Sequence, residues 1–296
     1  MDSSYPNGPS PSDISPVELS RIVDAALAED LASGDVTTRS VVPPGAMARG
    51  ALVARESMVV AGLGVAAAVF RRVDPSVRID ARVRDGEPVT AGAHVASVDG
   101  PAHAVLGAER VALNLLQRMC GVATRTRGFV DALPAGSRTR IADTRKTTPG
   151  LRALERYAVR CGGGQNHRND LGSSVLIKDN HIAVCGGIRA AIERARANAP
   201  HTSRIECEVD SEAALDEAIA AGADVIMLDN FDDTRVAQAL ARVAACNPRP
   251  AIEVSGGVTL ERIAKLGALG VDIVSIGSLT HGARAMDIAL DFELST

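Results

Sequence analysis

From residue 139 to residue 276 the chain alternates six short apolar runs with amphipathic ones, and no other feature limits its fold so tightly. Strands are expected at 139–142, 174–178, 204–209, 224–228, 251–254 and 272–276. Helices are expected between them near 150–160, 187–198, 211–221, 232–245 and 259–266. Such βα repetition calls for a parallel sheet with helical crossovers. No Gly-x-Gly-x-x-Gly fingerprint follows the first of these strands, which argues against a dinucleotide-binding domain. A barrel is the better expectation. Full eightfold closure takes about 200 residues or more, so an incomplete or smaller barrel fits the segment.

The first portion reads differently. Ser15 is placed to cap a helix that starts at Pro16, with Glu18 three residues after the cap and an apolar face from Val17 to Leu31. A strand over 48–55 and a helix over 64–73 follow. Val77 to Arg84 alternates strictly and stops at Asp85-Gly86, the pattern of a half-buried strand entering a turn. Short strands are expected near 93–98 and 102–105, then a long helix over 106–133 with Gly121 as its break. The expected division is a disordered tail over 1–14, an α/β module over 15–120, a barrel domain over 121–282, and a C-terminal helix over 283–296 packing back on the first module. The Ser-, Pro- and Gly-rich start has no basic or long apolar stretch and does not resemble a signal peptide.

Composition excludes several functions. Hydrophobic residues make up 46% of 296, enough for a substantial core, and the net charge of −4 speaks against nucleic-acid or membrane-surface binding. Aromatics are 2% and Trp is absent, so base stacking has little to work with. No apolar run approaches the roughly 18 residues of a membrane span. Five cysteines without a CxxC pair suit small buried thiols in a reducing cytoplasm, and no His or Cys lies at zinc-ligand spacing from another.

The chemistry lies where the strands end. Ile141-Ala142 runs into Asp143-Thr144-Arg145-Lys146, and Ile177 into Lys178-Asp179-Asn180-His181. Cys207 runs into Glu208, Leu228 into Asp229, Val254 into Ser255-Gly256-Gly257, and Ile276 into Gly277-Ser278. In a barrel these tips share one end, the end that carries active sites. Turns alone explain Gly, Asn and Asp there; they do not explain two of only three lysines in a chain with 29 arginines. Between Asp143 and His181 seven cations face four carboxylates, so this stretch is +3. Arg152, Glu155, Arg156 and Arg160 repeat at helical spacing and are expected on a solvated face. Arg145, Lys146, His167, Arg168 and Lys178 fall in turns or tips, where forked and pointed cations can meet a strongly anionic ligand. Ser255-Gly256-Gly257 before a helix, and Gly277 after the last strand, suit a phosphate. Glu208 and Asp229 end successive strands and suit sugar hydroxyls or the water shell of Mg²⁺.

Asp143-Thr-Arg-Lys-Thr-Thr-Pro-Gly150 resembles the quinolinate phosphoribosyltransferase family. So do Glu155-Arg-Tyr-Ala-Val-Arg160, Gly162-Gly-Gly-Gln-Asn-His-Arg168 and Leu176-Ile-Lys-Asp-Asn-His181. The likeness extends through Glu206-Cys-Glu-Val-Asp210, Leu228-Asp-Asn230, Glu253-Val-Ser-Gly-Gly257 and Ser275-Ile-Gly277. It also takes in Glu29-Asp30, Gly34-Asp-Val-Thr37, Glu109-Arg110 and Leu113-Asn114. The resemblance implies an incomplete α/β barrel of the type II phosphoribosyltransferase kind, an N-terminal α/β sandwich, and a head-to-tail homodimer with a shared active site. It implies transfer of phosphoribose from phosphoribosyl pyrophosphate to quinolinate with loss of CO₂, in NAD synthesis, with Mg²⁺. By the same likeness Arg145, His167, Arg168 and Lys178 hold the quinolinate carboxylates, and Arg110 reaches them from the neighbouring subunit. Lys146 meets the phosphoribosyl donor, Glu208 and Asp229 its ribose and Mg²⁺ waters, and Ser255, Gly256, Gly277 and His281 the 5′-phosphate.

Three other readings compete. A barrel-tip lysine such as Lys178 or Lys146 can form a Schiff base in an aldolase. A silent sensor of an anionic metabolite would bind without turnover and leave Glu208 and Asp229 idle. A related phosphoribosyltransferase with another acceptor differs only in its substrate.

Overall fold

The computed structural model describes residues 13–292. In chain order its elements are α1 (Pro16–Leu31), α2 (Val36–Val41), β1 (Met47–Ala54), β2 (Met58–Val59), α3 (Leu63–Val73), β3 (Arg78–Ala81), β4 (Pro88–Val89), β5 (His94–Pro101) and α4 (Ala102–Asp131). Then come β6 (Arg140–Ala142), α5 (Arg152–Cys161), β7 (Val175–Ile177), α6 (Asp179–Cys185), α7 (Ile188–Asn198), β8 (Ile205–Val209) and α8 (Glu212–Ala220). The chain continues through β9 (Val225–Asp229), α9 (Asp233–Ala244), β10 (Ala251–Ser255), α10 (Leu260–Leu269), β11 (Ile273–Ser275) and β12 (Ile288–Phe292). Among the described residues two compact units share these elements: one runs as far as 127 and takes in 146–164 and the stretch from 278 on, and the other holds 128–145 and 165–277.

The first unit is built on an antiparallel sheet of order β12-β1-β5-β3 beside a small β2-β4 ribbon. Along α3, Val65, Ala66, Val69 and Phe70 recur at helical spacing and are buried. A buried Val or Phe contributes about 1.5–3 kcal/mol relative to exposure, so this stripe holds the helix in place, helped by Asp85, which accepts from the Gly62 and Leu63 N–H groups at 2.9 and 3.2 Å. Four expectations are corrected here. Residues 102–105 are the first turn of α4, since the apolar alternation of β5 ends at Pro101. Helix α4 runs unbroken through Gly121, where a side chain would collide with the Arg284 carbonyl; the glycine permits close approach and is no break. The C-terminal stretch is no helix, because Met286, Ile288 and Leu290 are buried at period two and β12 pairs antiparallel with β1. Residues 293–296 lie outside the described part, as do residues 1–12 of the expected tail; Ile14 is buried and Asp13 pairs with Arg160.

The fourth correction concerns the helix face expected in solvent. Glu155 is fully buried and ion-paired with Arg118 of α4 at 2.7 Å, and Arg152, Arg156 and Arg160 are half-buried. Glu155 also accepts hydrogen bonds from the Thr148 backbone (3.1 Å) and hydroxyl (2.7 Å). Arg118 reaches the carbonyls of Thr280 and Ala283, each at 2.6 Å. Sequence periodicity registered the spacing of the charges and missed their partners on another helix.

The second unit is a six-stranded, all-parallel sheet of order β6-β11-β10-β9-β8-β7, with helices in the crossovers, as the alternation requires. Among the described residues no ladder joins β6 to β7, so the sheet stays open; Gln165 makes a single parallel bridge to Ala142 at that gap. Register fixes the level of the tips: Ser255 lies opposite Asp229, and Ser275 opposite Ala142. Helices α9 and α10 bury Val236, Ala239, Val243, Ile263 and Leu266 and leave their polar faces outward. Among the described residues no helix is long and apolar enough to cross a membrane.

Candidate active site

Three groups of expected residues come together within the second unit. At the β7 and β8 tips the Lys178 ammonium is ion-paired with the Glu208 carboxylate. The Lys178 backbone N–H donates to His181 Nδ1 at 2.9 Å, which fixes the start of α6. At the β9 and β10 tips, Asp229 accepts from the Asn230 side chain at 3.0 Å. Asn230 sits at φ 56° and Gly256 at φ 81°, backbone that a side chain at 256 would strain. A Cβ there would also lie 2.8 Å from Asp229 Oδ1. Glycine at 256 is therefore what lets the β10 tip pack closely against the Asp229 and Asn230 side chains.

The third group is cationic. Arg168 is less basic than an ordinary guanidinium because it is partly buried and because Arg145 is close enough for like charges to oppose one another. Arg145 Nε is buried and has no hydrogen-bond partner. Two adjacent guanidinium groups, one with an orphaned buried donor, are poised for an anion. The Arg168 side chain donates to the Ser174 carbonyl at 3.2 Å and borders a cavity of about 230 Å³, shared with Arg140, Asn166, His167, Glu206 and Glu253.

What holds this group is the buried Asp143 at the end of β6. Its two oxygens accept from the Asn166 side chain and the His167 backbone, both at 2.7 Å. Gln165 adds backbone bonds to Ile141 and Asp143. His167 is engaged at both ring nitrogens. Nδ1 accepts the Arg168 N–H at 2.8 Å, while Nε2 lies 3.2 Å from Glu206 and 3.4 Å from Glu253. Burial alone would lower the basicity of this ring, and the two carboxylates push it the other way, above the usual histidine value. Burial raises Glu206 above the usual carboxylate range, against the pull of His167.

Lys146, Arg110 and His281 belong to the first unit and are exposed there. The Lys146 carbonyl accepts from the Thr280 hydroxyl at 2.7 Å, which ties the start of that loop to residue 280. Sequence reasoning gave no role to Glu206 or Glu253. A usable signal existed: Glu206 and Glu208 alternate within one strand, so they share a face, and a charge inside an apolar run needs a partner.

Fold and tips together define an α/β protein with paired cations and carboxylates at the ends of neighbouring parallel strands. Comparison with known proteins narrows this. The quinolinate phosphoribosyl transferase C-terminal domain matches residues 122–291, and the N-terminal domain of the same family matches residues 35–120. A probable nicotinate-nucleotide pyrophosphorylase [carboxylating] of Bacillus subtilis is 42% identical over 279 residues, covering 94% of this chain and 95% of its own. The nicotinate-nucleotide pyrophosphorylase [carboxylating] of Mycobacterium leprae is 44% identical over 269 residues, covering 90% and 94%. Among solved structures, NadC from Streptococcus pyogenes matches with a TM-score of 0.89 at 41% identity, covering 94% of this chain and 97% of that one. The chain belongs to the quinolinate phosphoribosyltransferase family.

Proposed function

We propose that the chain transfers phosphoribose from phosphoribosyl pyrophosphate to quinolinate, giving nicotinate mononucleotide, pyrophosphate and CO₂ in the de novo synthesis of NAD. The observation that carries this reading beyond family membership is the Arg145–Arg168 pair with its orphaned buried Nε. A planar dicarboxylate satisfies both forks at once. Lys178 completes the cationic surround with the His167 ring beside Arg168, and Arg110 joins it from a second copy of the chain in a head-to-tail dimer.

In the reaction, the C1–O bond of the ribose breaks as pyrophosphate leaves, and the quinolinate nitrogen forms the new C1–N bond. Lys146 stabilises charge gathering on the departing pyrophosphate, and the carboxylates of Glu208 and Asp229 stand near the positive charge developing on the sugar. Ser255, Gly256, Gly277 and His281 hold the 5′-phosphate. The pyridinium so formed takes the electron pair of the breaking ring–carboxylate bond as CO₂ departs, and the ring carbon then accepts a proton from solvent. The ring is its own electron sink. No covalent protein nucleophile is needed, which sets this reading apart from an aldolase.

The donor set at Glu208 and Asp229 suits Mg²⁺: hard carboxylate oxygens, one of them already matched to the Lys178 cation. These two residues would hold the ion through its waters, and the ion would supply charge neutralisation on the pyrophosphate. All five cysteines are unpaired, and we place the enzyme in the cytoplasm on that ground.

The test is a product assay with phosphoribosyl pyrophosphate, Mg²⁺ and either quinolinate or nicotinate as acceptor. Nicotinate mononucleotide and CO₂ formed from quinolinate, with nicotinate inert, is the expected result. Turnover with nicotinate alone would move the chain to a related phosphoribosyltransferase. Borohydride trapping of a carbonyl substrate on Lys178, without pyrophosphate release, would make it an aldolase.

A further inference from the structure

We infer that Glu206 and Glu253 are positioning residues of the anion pocket, holding the His167 ring and, through it, the Arg168 peptide. This rests on the reading above that Arg168 binds a substrate carboxylate. Both carboxylates are inside the sheet, with Glu206 6% and Glu253 1% exposed, and an isolated charge is costly at that depth. They come from strands β8 and β10, and His167 Nε2 lies 3.2 Å from Glu206 and 3.4 Å from Glu253. The opposite ring nitrogen accepts the Arg168 N–H at 2.8 Å. One imidazole therefore links two rigid strands to the backbone of the arginine that lines the cavity. Asp143 fixes the residue before it by the same logic, through the His167 N–H.

The same three side chains have the donor set of a divalent-metal site, and their ligand atoms lie within 4.8 Å of one another. The Arg168 N–H decides against that use. With Nδ1 acting as an acceptor, the ring hydrogen sits on Nε2, the very atom a metal would have to occupy. Nε2–H aimed at two carboxylates is a hydrogen-bonded strut. Glu253 Oε1, 3.4 Å from the same Nε2, is the second face of that strut and limits rotation of the ring.

The experiment measures steady-state kinetics of the full chain with each substrate varied separately, for Glu206→Gln, Glu253→Gln and the double variant. The expected result is a rise in quinolinate KM of about tenfold or more, as small misplacements of binding groups produce. The KM for phosphoribosyl pyrophosphate and kcat should stay within about twofold. Because both residues act through one ring, the double variant should lose no more than the worse single one. Glu253→Asp, which keeps the charge, serves as the second reading if a glutamine variant fails to melt cooperatively, and it should show the same selective rise. An unchanged quinolinate KM in a folded variant overturns the proposal, as does a loss spread evenly over both KM values and kcat. One equivalent of Zn²⁺ bound by the unmodified chain and lost in Glu253→Gln, with quinolinate KM unmoved, also overturns it. Arg168→Ala separates this from the underlying reading. If that variant leaves quinolinate KM unchanged, the pocket assignment fails; if it raises KM while the glutamate variants do not, only the present proposal fails.

Discussion

Arg168 and Lys146 carry the same sign of charge and are assigned different work, so they should fail differently. Arg168 is half-buried against Arg145, in a position to bind a resting carboxylate. Lys146 is exposed and its charge is needed most when pyrophosphate departs. Arg168→Ala should therefore raise quinolinate KM more than it lowers kcat, and Lys146→Ala should do the reverse. Loss of one preorganised charge typically costs about 3–4 kcal/mol, or roughly 10²–10³ in rate. Initial rates with each substrate varied in turn decide the matter, and equal losses in both parameters for both variants would refute the division. The cysteines make a second test. Burial pushes the Cys120 and Cys207 thiols up to about 12 and also raises Cys161, so these stay protonated at pH 8. Cys185 and Cys246 are only half-buried. A thiol reagent at pH 8 should label two cysteines rapidly and all five only after unfolding; rapid labelling of Cys120 would contradict the packing.

The elements differ in how far sequence alone reveals them. The six parallel strands were legible as short, mainly apolar runs that stop at polar tips, with Glu206, Glu208 and Glu253 the charges inside β8 and β10. Asp143, Lys178, Glu208 and Asp229 were legible for the same reason, as charges at those stops. What was not legible depended on partners far along the chain. His167 meets Glu206 across 39 residues, and Arg118 meets Glu155 across 37. Helical spacing made Glu155 look like half of a surface pair, whereas α4 packs over it and buries it. Removing one member of a buried ion pair leaves the other uncompensated, at a cost of about 3–5 kcal/mol. Glu155→Leu should lower the urea midpoint accordingly, since it strands the Arg118 guanidinium and frees Thr148; a shift below about 1 kcal/mol would show the pair to be superficial.

At the scale of the whole molecule, the role proposed for Arg110 calls on a second copy of the chain. Arg110 is exposed on α4 in the first unit. Mixing an Arg110→Ala chain with a Lys178→Ala chain should then restore part of the activity, because one mouth of the mixed dimer keeps both residues. Absence of rescue in verified mixed dimers would rule out a shared site. The most direct measurement is calorimetric titration of quinolinate into the free protein and into Arg145→Ala, Arg168→Ala and Lys178→Ala variants. One salt-sensitive site per chain, weakened in every variant, is the expected result. Binding that survives all three substitutions unchanged would place the dicarboxylate elsewhere and contradict the cationic pocket on which the proposed reaction depends.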